Sequence, residues 1–159
     1  MTGGAVRVEP ARSADLAAIR GLLGAAELPT QHLEDGSARL FVARGAGATP
    51  GELLGCAGLE RHGAAGLLRS LAVREGARGQ GVGRALVERV VAEARAAGAA
   101  EVVLLTMGAS PFFEALGFEP ARREAVDPAL LDSWEFRLHE CVPAQLLRRQ
   151  LAAGPDPSI

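Results

Sequence analysis

Between residues 5 and 10 apolar and charged side chains alternate (Val6, Arg7, Val8, Glu9), the period of a half-buried strand. The spacing then lengthens. Leu16, Ile19, Leu22 and Leu23 share one face of a helix expected over about residues 14–26, with Ser13 as N-cap, Asp15 in the first turn and Pro29 beyond its end. The polar stretch 30–37 reads as a loop or a short helical piece. Leu40-Phe41-Val42-Ala43, residues 52–60 and residues 67–73 follow as strands, joined by turns at 45–51 and 63–66, so the middle of the chain reads as an antiparallel meander. Past Gly81 the period returns to that of a helix: Val82, Leu86, Val90 and Ala94 form one apolar stripe, Arg84/Glu88 and Arg89/Glu93 stand four apart on the wetter side, and Gly98 stops it.

Val102-Val103-Leu104-Leu105 has the unbroken apolar character of a strand buried on both faces. Ser110-Pro111 opens a short helix through Phe112, Phe113 and Leu116, with Ser110 as cap and Gly117 as stop. Phe118 restarts extended chain, Asp127-Pro128 repeats the cap signature, and residues 145–151 make a last strand. The order of elements is a mixed α/β arrangement rather than an alternating nucleotide-binding sheet. One domain over residues 1–152 is expected, with a loose tail at 153–159.

Composition narrows the function. Hydrophobic residues make up 48% and charged residues 23% of 159, enough to build a sizeable core. No apolar run reaches the roughly 18 residues a membrane span needs, and no signal segment is recognisable, so a cytoplasmic location is expected. The net charge is −2 and the basic residues, all arginine, are scattered apart from the Arg122-Arg123 and Arg148-Arg149 pairs, which gives no reason to expect nucleic acid. Cys56 and Cys141 lack the spacing of a metal site and read as buried or inert thiols, with a pairing or metalloid-binding role as the alternative; no metal cofactor is expected.

The stretch Arg78-Gly79-Gln80-Gly81-Val82-Gly83 joins a strand to the best amphipathic helix. The first amides of a helix lack intrahelical partners and carry partial positive charge, so an anion is favoured there. Glycine gives the backbone left-handed geometry and keeps Cβ atoms away from a ligand. Two phosphate motifs fail: a dinucleotide fingerprint needs glycine where Arg84 stands, and a P-loop needs lysine, which the chain lacks.

Arg78-x-x-Gly81-x-Gly83 after Leu71-Ala72-Val73 resembles the acetyl-CoA signature of the GNAT superfamily of N-acetyltransferases. Phe112-Phe113-Glu114-Ala115-Leu116-Gly117-Phe118 resembles that superfamily's Phe-Tyr-Glu-x-Leu-Gly-Phe helix. Within it, Gly58-Leu59-Glu60, the run from Leu67 to Val73, Thr106, and Glu135-Phe136 ahead of Cys141 and Pro143 resemble the arsenic-resistance-associated N-acetyltransferases. Those carry an adjacent Cys-Pro pair that Val142 interrupts here.

The resemblance implies a mostly antiparallel sheet of about six to seven strands flanked by helices, acetyl-CoA as co-substrate, and a small amine acceptor, one candidate being an arsenic-containing amino acid. It implies that the main chain around Leu71, Ala72 and Val73 pairs with the pantetheine arm, while amides from Arg78 through Gly79, Gln80, Gly81, Val82 and Gly83 to Arg84 hold the diphosphate. Phe112 or Phe113 either lines the pantetheine channel or belongs to the core. A monomer or homodimer is expected.

Acetyl transfer needs a neutral amine, a stabilised oxyanion and a proton for the departing thiolate. Superfamily members commonly draw that proton from a tyrosine where this chain has Phe113, and the chain contains no tyrosine. Ser110, Thr106 or water are the substitutes. Glu60, at the end of an apolar strand segment, is the candidate base or amine-binding carboxylate. If Glu60 and Leu67 stand opposite one another, Gly58 faces Arg69, and Glu60 and Arg69 become diagonal neighbours about 7–8 Å apart. Arg69 is then the candidate partner of a substrate carboxylate, with Ser70 and Thr106 nearby. The competing reading is an acyl-CoA-binding regulatory module that kept the cradle and lost the acid.

Overall fold

A computed structural model describes residues 6–45, 52–138 and 144–151. They form a seven-stranded sheet in the order β1 (Val6–Pro10), β2 (Arg39–Gly45), β3 (Gly55–His62), β4 (Ala65–Val73), β5 (Glu101–Thr106), β7 (Gln145–Gln150), β6 (Glu119–Pro120), flanked by helices; β4 and β5 pair in parallel, while β1 with β2, β2 with β3, β5 with β7 and β6 with β7 pair antiparallel. The chain divides into two compact units: one holds the described residues up to Glu60 with Leu68–Val91, the other Arg61–Leu67 with the described residues from Ala92 onward.

In the first unit, β1 (Val6–Pro10) pairs with β2 (Arg39–Gly45), which pairs with β3 (Gly55–His62); Val8 stands opposite Ala43 and Val42 opposite Cys56. The alternation along β3 sends successive side chains to opposite faces. Cys56 joins Ile19 and Leu23 of α1 (Leu16–Ala25), Leu33, Val42, Leu53 and Ala72 in one buried cluster. Gly55, one residue away, faces the other helix, α2 (Val82–Ala96), where Val82 and Leu86 close over it. The expected stripe is buried throughout: Val82, Leu86, Val90 and Ala94 are each at most 1% exposed.

The start of the first helix differs from expectation. Residues Ser13–Asp15 form a 3-10 turn whose N-cap is Arg12, and Ser13 caps nothing; the Asp15 carboxylate instead reaches back to accept from the Arg12 N–H at 2.9 Å. A charged acceptor satisfies that donor better than a hydroxyl can. Arg44 Nη2 donates to both Asp15 oxygens, at 2.8 and 2.9 Å.

Burial alone would raise the Asp15 carboxyl, but the Arg12 amide and the Arg44 guanidinium outweigh it and hold its pKa below the ordinary value. A depressed folded-state pKa stabilises the protein above the unfolded-state value, about 3.9, and the contribution is lost as pH falls through the folded value. Asp15→Asn should therefore cost about 1–3 kcal/mol at neutral pH. In urea titrations repeated at falling pH, the gap to wild type should close below about pH 4; a gap that stays constant would contradict the assignment.

In the second unit, the start of β4 (Ala65–Val73) pairs with β5 (Glu101–Thr106), with Ala65 opposite Glu101 and Leu67 opposite Val103. β7 (Gln145–Gln150) lies antiparallel to β5 and carries the short β6 (Glu119–Pro120) on its other side. Ala65, Leu67, Val103, Val126, Leu130, Phe136 and Leu146 make its buried cluster. Asp127 caps the turn Pro128–Asp132 as expected, accepting from Ala129 N–H at 2.9 Å, and also accepts from Ala64 N–H at 2.8 Å.

A short helix α4 (Trp134–Leu138), absent from the pattern reading, follows Ser133, whose Oγ accepts from Phe136 N–H at 3.2 Å. Most of the turn expected at 45–51, together with Cys141, Pro143 and the expected tail, lies outside the described residues.

Candidate active site

β4 leads through a 3-10 turn (Glu75–Ala77) into the glycine stretch. Ala77 is buried and anchors the approach, Val82 is buried beneath the helix start, and Arg78, Gly79, Gln80, Gly81 and Arg84 between and after them are exposed. Gly79 has φ +81° and Gly81 φ +82°, the left-handed region where a Cβ is penalised. No atom lies within 4 Å of the place where either Cβ would stand, so the requirement for glycine is conformational and the space above the turn is open. Ala85 N–H donates to Gly81 O at 3.0 Å. The amides of Val82, Gly83 and Arg84 precede that first bond at the positive end of a 15-residue helix.

The backbone of β4 orients its own edge. Arg74 N–H donates to Leu54 O at 2.8 Å, and the Ala72 carbonyl is the atom nearest a Cβ placed on Gly55. Alternation then turns the main-chain groups of Leu71 and Val73 to the opposite edge. The β4–β5 ladder covers Ala65, Gly66 and Leu67, so Leu71 and Val73 lie beyond its end. Val73 and Arg78 border one cleft of about 490 Å³, with Leu22 and Leu53 giving it an apolar wall.

Further back on β4 the structure brings two expected residues together. Arg69 Nη1 donates to Glu60 Oε2 in a buried ion pair. Glu60 is 3% and Arg69 5% exposed. A Cβ on Gly58 would touch Arg69 Cγ at 3.5 Å, so Gly58 does face Arg69 and the expected diagonal neighbours form. Two details differ. Glu60 lies inside β3 rather than at its end. The guanidinium expected to receive a substrate carboxylate is engaged by protein acceptors: besides Glu60, Nη2 donates to His32 O (2.7 Å) and Gln31 O (3.2 Å), and Nε to Ser70 Oγ (3.1 Å).

Ser70, half-buried, has φ +57°, a left-handed residue inside a strand, which kinks β4 where its ladder changes. Cys56 Sγ donates to Ser70 O at 3.3 Å, and burial pushes its thiol pKa up to about 12, against the opposing backbone hydrogen bond from Ala72, which disfavours the thiolate. No cluster of metal-ligating side chains is found among the described residues.

In the second unit, Thr106 ends β5 and its Oγ1 accepts from Ala109 N–H at 3.3 Å. The N-cap of α3 (Ser110–Glu114) is Ala109, not Ser110, and no side chain caps it. Thr106 has turned the chain one residue early, which places Ser110 and Pro111 inside the first turn with the Ser110 side chain half-buried. Phe113 is 6% exposed and packs edge-on between Phe112 and Phe118, with centroids 5.0 and 5.8 Å away. It is a core residue, whereas Phe112 is 40% exposed.

The profile of the acetyltransferase (GNAT) domain matches residues 36–120, more than half of the chain and the whole stretch from β2 to β6. The chain belongs to the GNAT acetyltransferases. No curated protein sequence matches it. Among solved structures, this acetyltransferase is similar to Rv2747 from Mycobacterium tuberculosis in complex with CoA and NLQ, at 23% identity and a TM-score of 0.77 over 92% of this chain and 99% of that one.

It is also similar to N-acetylglutamate synthase from Neisseria gonorrhoeae complexed with coenzyme A and N-acetyl-glutamate, at 21% identity and a TM-score of 0.79, over 94% of this chain and 36% of that one. A GNAT-family acetyltransferase from Staphylococcus aureus aligns at 14% identity with a TM-score of 0.73, over 93% of this chain and 100% of that one. These likenesses establish the fold. No helix among the described residues is long and apolar enough to cross a membrane.

Proposed function

We propose that this acetyltransferase moves an acetyl group from acetyl-CoA to the primary amine of a small, amino-acid-like molecule. The observation that carries the reading is the turn from Arg78 to Arg84. Two left-handed glycines open α2 with unpaired amides, and the exposed guanidinium groups of Arg78 and Arg84 flank them. That donor set fits a diphosphate: the amides supply directed hydrogen bonds and the arginines charge. The outward main-chain groups of Leu71 and Val73 fit the two amide groups of a pantetheine arm as an added strand. Acetyl-CoA when bound supplies the thioester; the chain's part is to hold it and to admit the amine.

Ser110 suits the role of proton donor to the departing thiolate, since its hydroxyl is not spent on capping α3. Thr106, already an acceptor for Ala109 N–H, is the weaker candidate. An amino-acid-like acceptor is supported by the fold shared with a synthase solved together with N-acetyl-glutamate. An arsenic-bearing amino acid rests on the sequence resemblance alone. Part of that resemblance is structural in this chain: Phe136 is a core residue, 2% exposed.

The test is release of CoA thiol from acetyl-CoA in the presence of a panel of amines: the common amino acids, an arsenic-bearing amino acid analogue, and simple alkylamines. Release that requires an α-amino acid is the expected result. Tight CoA binding with no transfer to any member of the panel would defeat the proposal.

A further inference from the structure

Among the described residues of the first unit, Glu60 and Arg69 are the most deeply buried oppositely charged pair, and the other acceptors of the Arg69 guanidinium are protein groups. The pair leans on a loop. Arg69 Nη2 holds two consecutive carbonyls, Gln31 O and His32 O, midway along the segment between α1 and β2. His32 has φ +60°, left-handed and not glycine. A residue held in such a conformation persists where its surroundings over-determine it, and here the surroundings are identifiable.

His32 Nδ1 meets Asp35 Oδ2 at 2.6 Å, Ser37 N–H donates to Asp35 Oδ1 at 2.9 Å, and Ser37 Oγ donates to the same His32 carbonyl at 3.3 Å. Leu33 drops into the core beneath. The 31–37 loop is therefore a closed knot, fastened to β4 by one guanidinium at Arg69. Ser70, the next residue, is also left-handed and is touched by the same guanidinium through its Oγ. One residue further is Leu71, the first residue of the edge assigned above to the coenzyme arm.

We propose that Glu60 and Arg69 are positioning residues: Glu60 orients the Arg69 fork, and the fork fixes the 31–37 loop beside the β4 kink as one wall of the acceptor site. This rests on the acetyl-transfer reading above. Glu60 then touches neither amine nor thioester, and the loop backbone, not the guanidinium, faces the acceptor. A lysine at position 69 keeps a charge for Glu60 but is a point donor that cannot span two carbonyls and a carboxylate at once. A glutamine at position 60 keeps the shape and one acceptor without the charge.

The experiment compares wild type with Arg69→Lys and Glu60→Gln by native-state hydrogen exchange and by steady-state kinetics with the best acceptor. Arg69→Lys should speed amide exchange in residues 31–37 and raise the acceptor KM by about tenfold, a misplacement effect. The acetyl-CoA Kd and exchange in α2 should not move. Glu60→Gln should act in the same direction but less, and should keep the acidic limb of the kcat/KM profile. Unchanged exchange and unchanged acceptor KM in Arg69→Lys would overturn the proposal. So would loss of the acidic limb in Glu60→Gln with loop exchange unaltered, which would make Glu60 the base. If wild type acetylates no amine, the functional reading fails, while the exchange comparison still reports on the clamp; an Arg69→Lys chain too unstable to assay leaves Glu60→Gln to decide by the same two readouts.

Discussion

Gly81→Val should raise the KM for acetyl-CoA by about ten- to a hundredfold while the protein stays folded. At φ +82° a β-branched residue costs about 1–3 kcal/mol, and one factor of ten in affinity is about 1.4 kcal/mol. Because no atom stands within 4 Å of the new Cβ, the cost is one of backbone angle and not of collision. The turn would relieve it by rotating, and rotation swings the neighbouring amides off the direction an anion needs. Gly76→Ala is the control: it has open space around it and no left-handed φ. Calorimetric titration with CoA, beside steady-state kinetics, reads the difference. An unchanged KM would place the diphosphate elsewhere and remove the foundation of the proposed function.

Gly55→Val should produce the largest loss of stability of any change considered, about 3 kcal/mol, or roughly 6–12 °C in Tm for a domain of this length. Here the angle is ordinary and the space is not. A Cβ at position 55 would stand 2.8 Å from the Ala72 carbonyl, 2.9 Å from Leu86 Cδ1 and 3.2 Å from Val82 Cγ1. The carbonyl is backbone and cannot turn aside, so β4 or α2 must shift bodily. Because Ala72 lies between Leu71 and Val73 and Val82 opens α2, whatever fold survives should also bind CoA more weakly. Thermal melts with and without CoA would show both effects; a melt within a degree or two of wild type would mean that β3 and α2 are less closely packed than described.

The strands and α2 were legible because their cores are periodic: Val6 and Val8, and Val82, Leu86, Val90 and Ala94, announce which face is buried. The turn at 78–84 was legible because glycine is the residue that gives φ values near +80° at positions 79 and 81 without strain. Local capping was harder. Ser13 and Ser110 both look like caps, but the Asp15 carboxylate serves the first helix and Thr106 turns the chain before the second. Each contest is decided by geometry three or four residues away, which composition does not encode.

Helix α4 is five residues long, too short to show a period. The Arg69 contacts were unreadable in principle. Its diagonal placement beside Glu60 followed from strand register, but two of its acceptors are main-chain carbonyls of residues 31 and 32, and a carbonyl has no letter of its own. The polar run 30–37 therefore reads only as a loop or a short helical piece, with nothing in it to mark the His32–Asp35 contact.

Asp127 ties two chain reversals far apart in sequence, and the tie leaves no room beside it. A side chain at Gly63, itself left-handed, would sit on the Asp127 carboxylate. The two positions are thus coupled: a side chain at 63 would have to displace the acid at 127 as well as adopt a left-handed backbone. Divergence should treat them as a linked pair, although they stand 64 positions apart in the sequence.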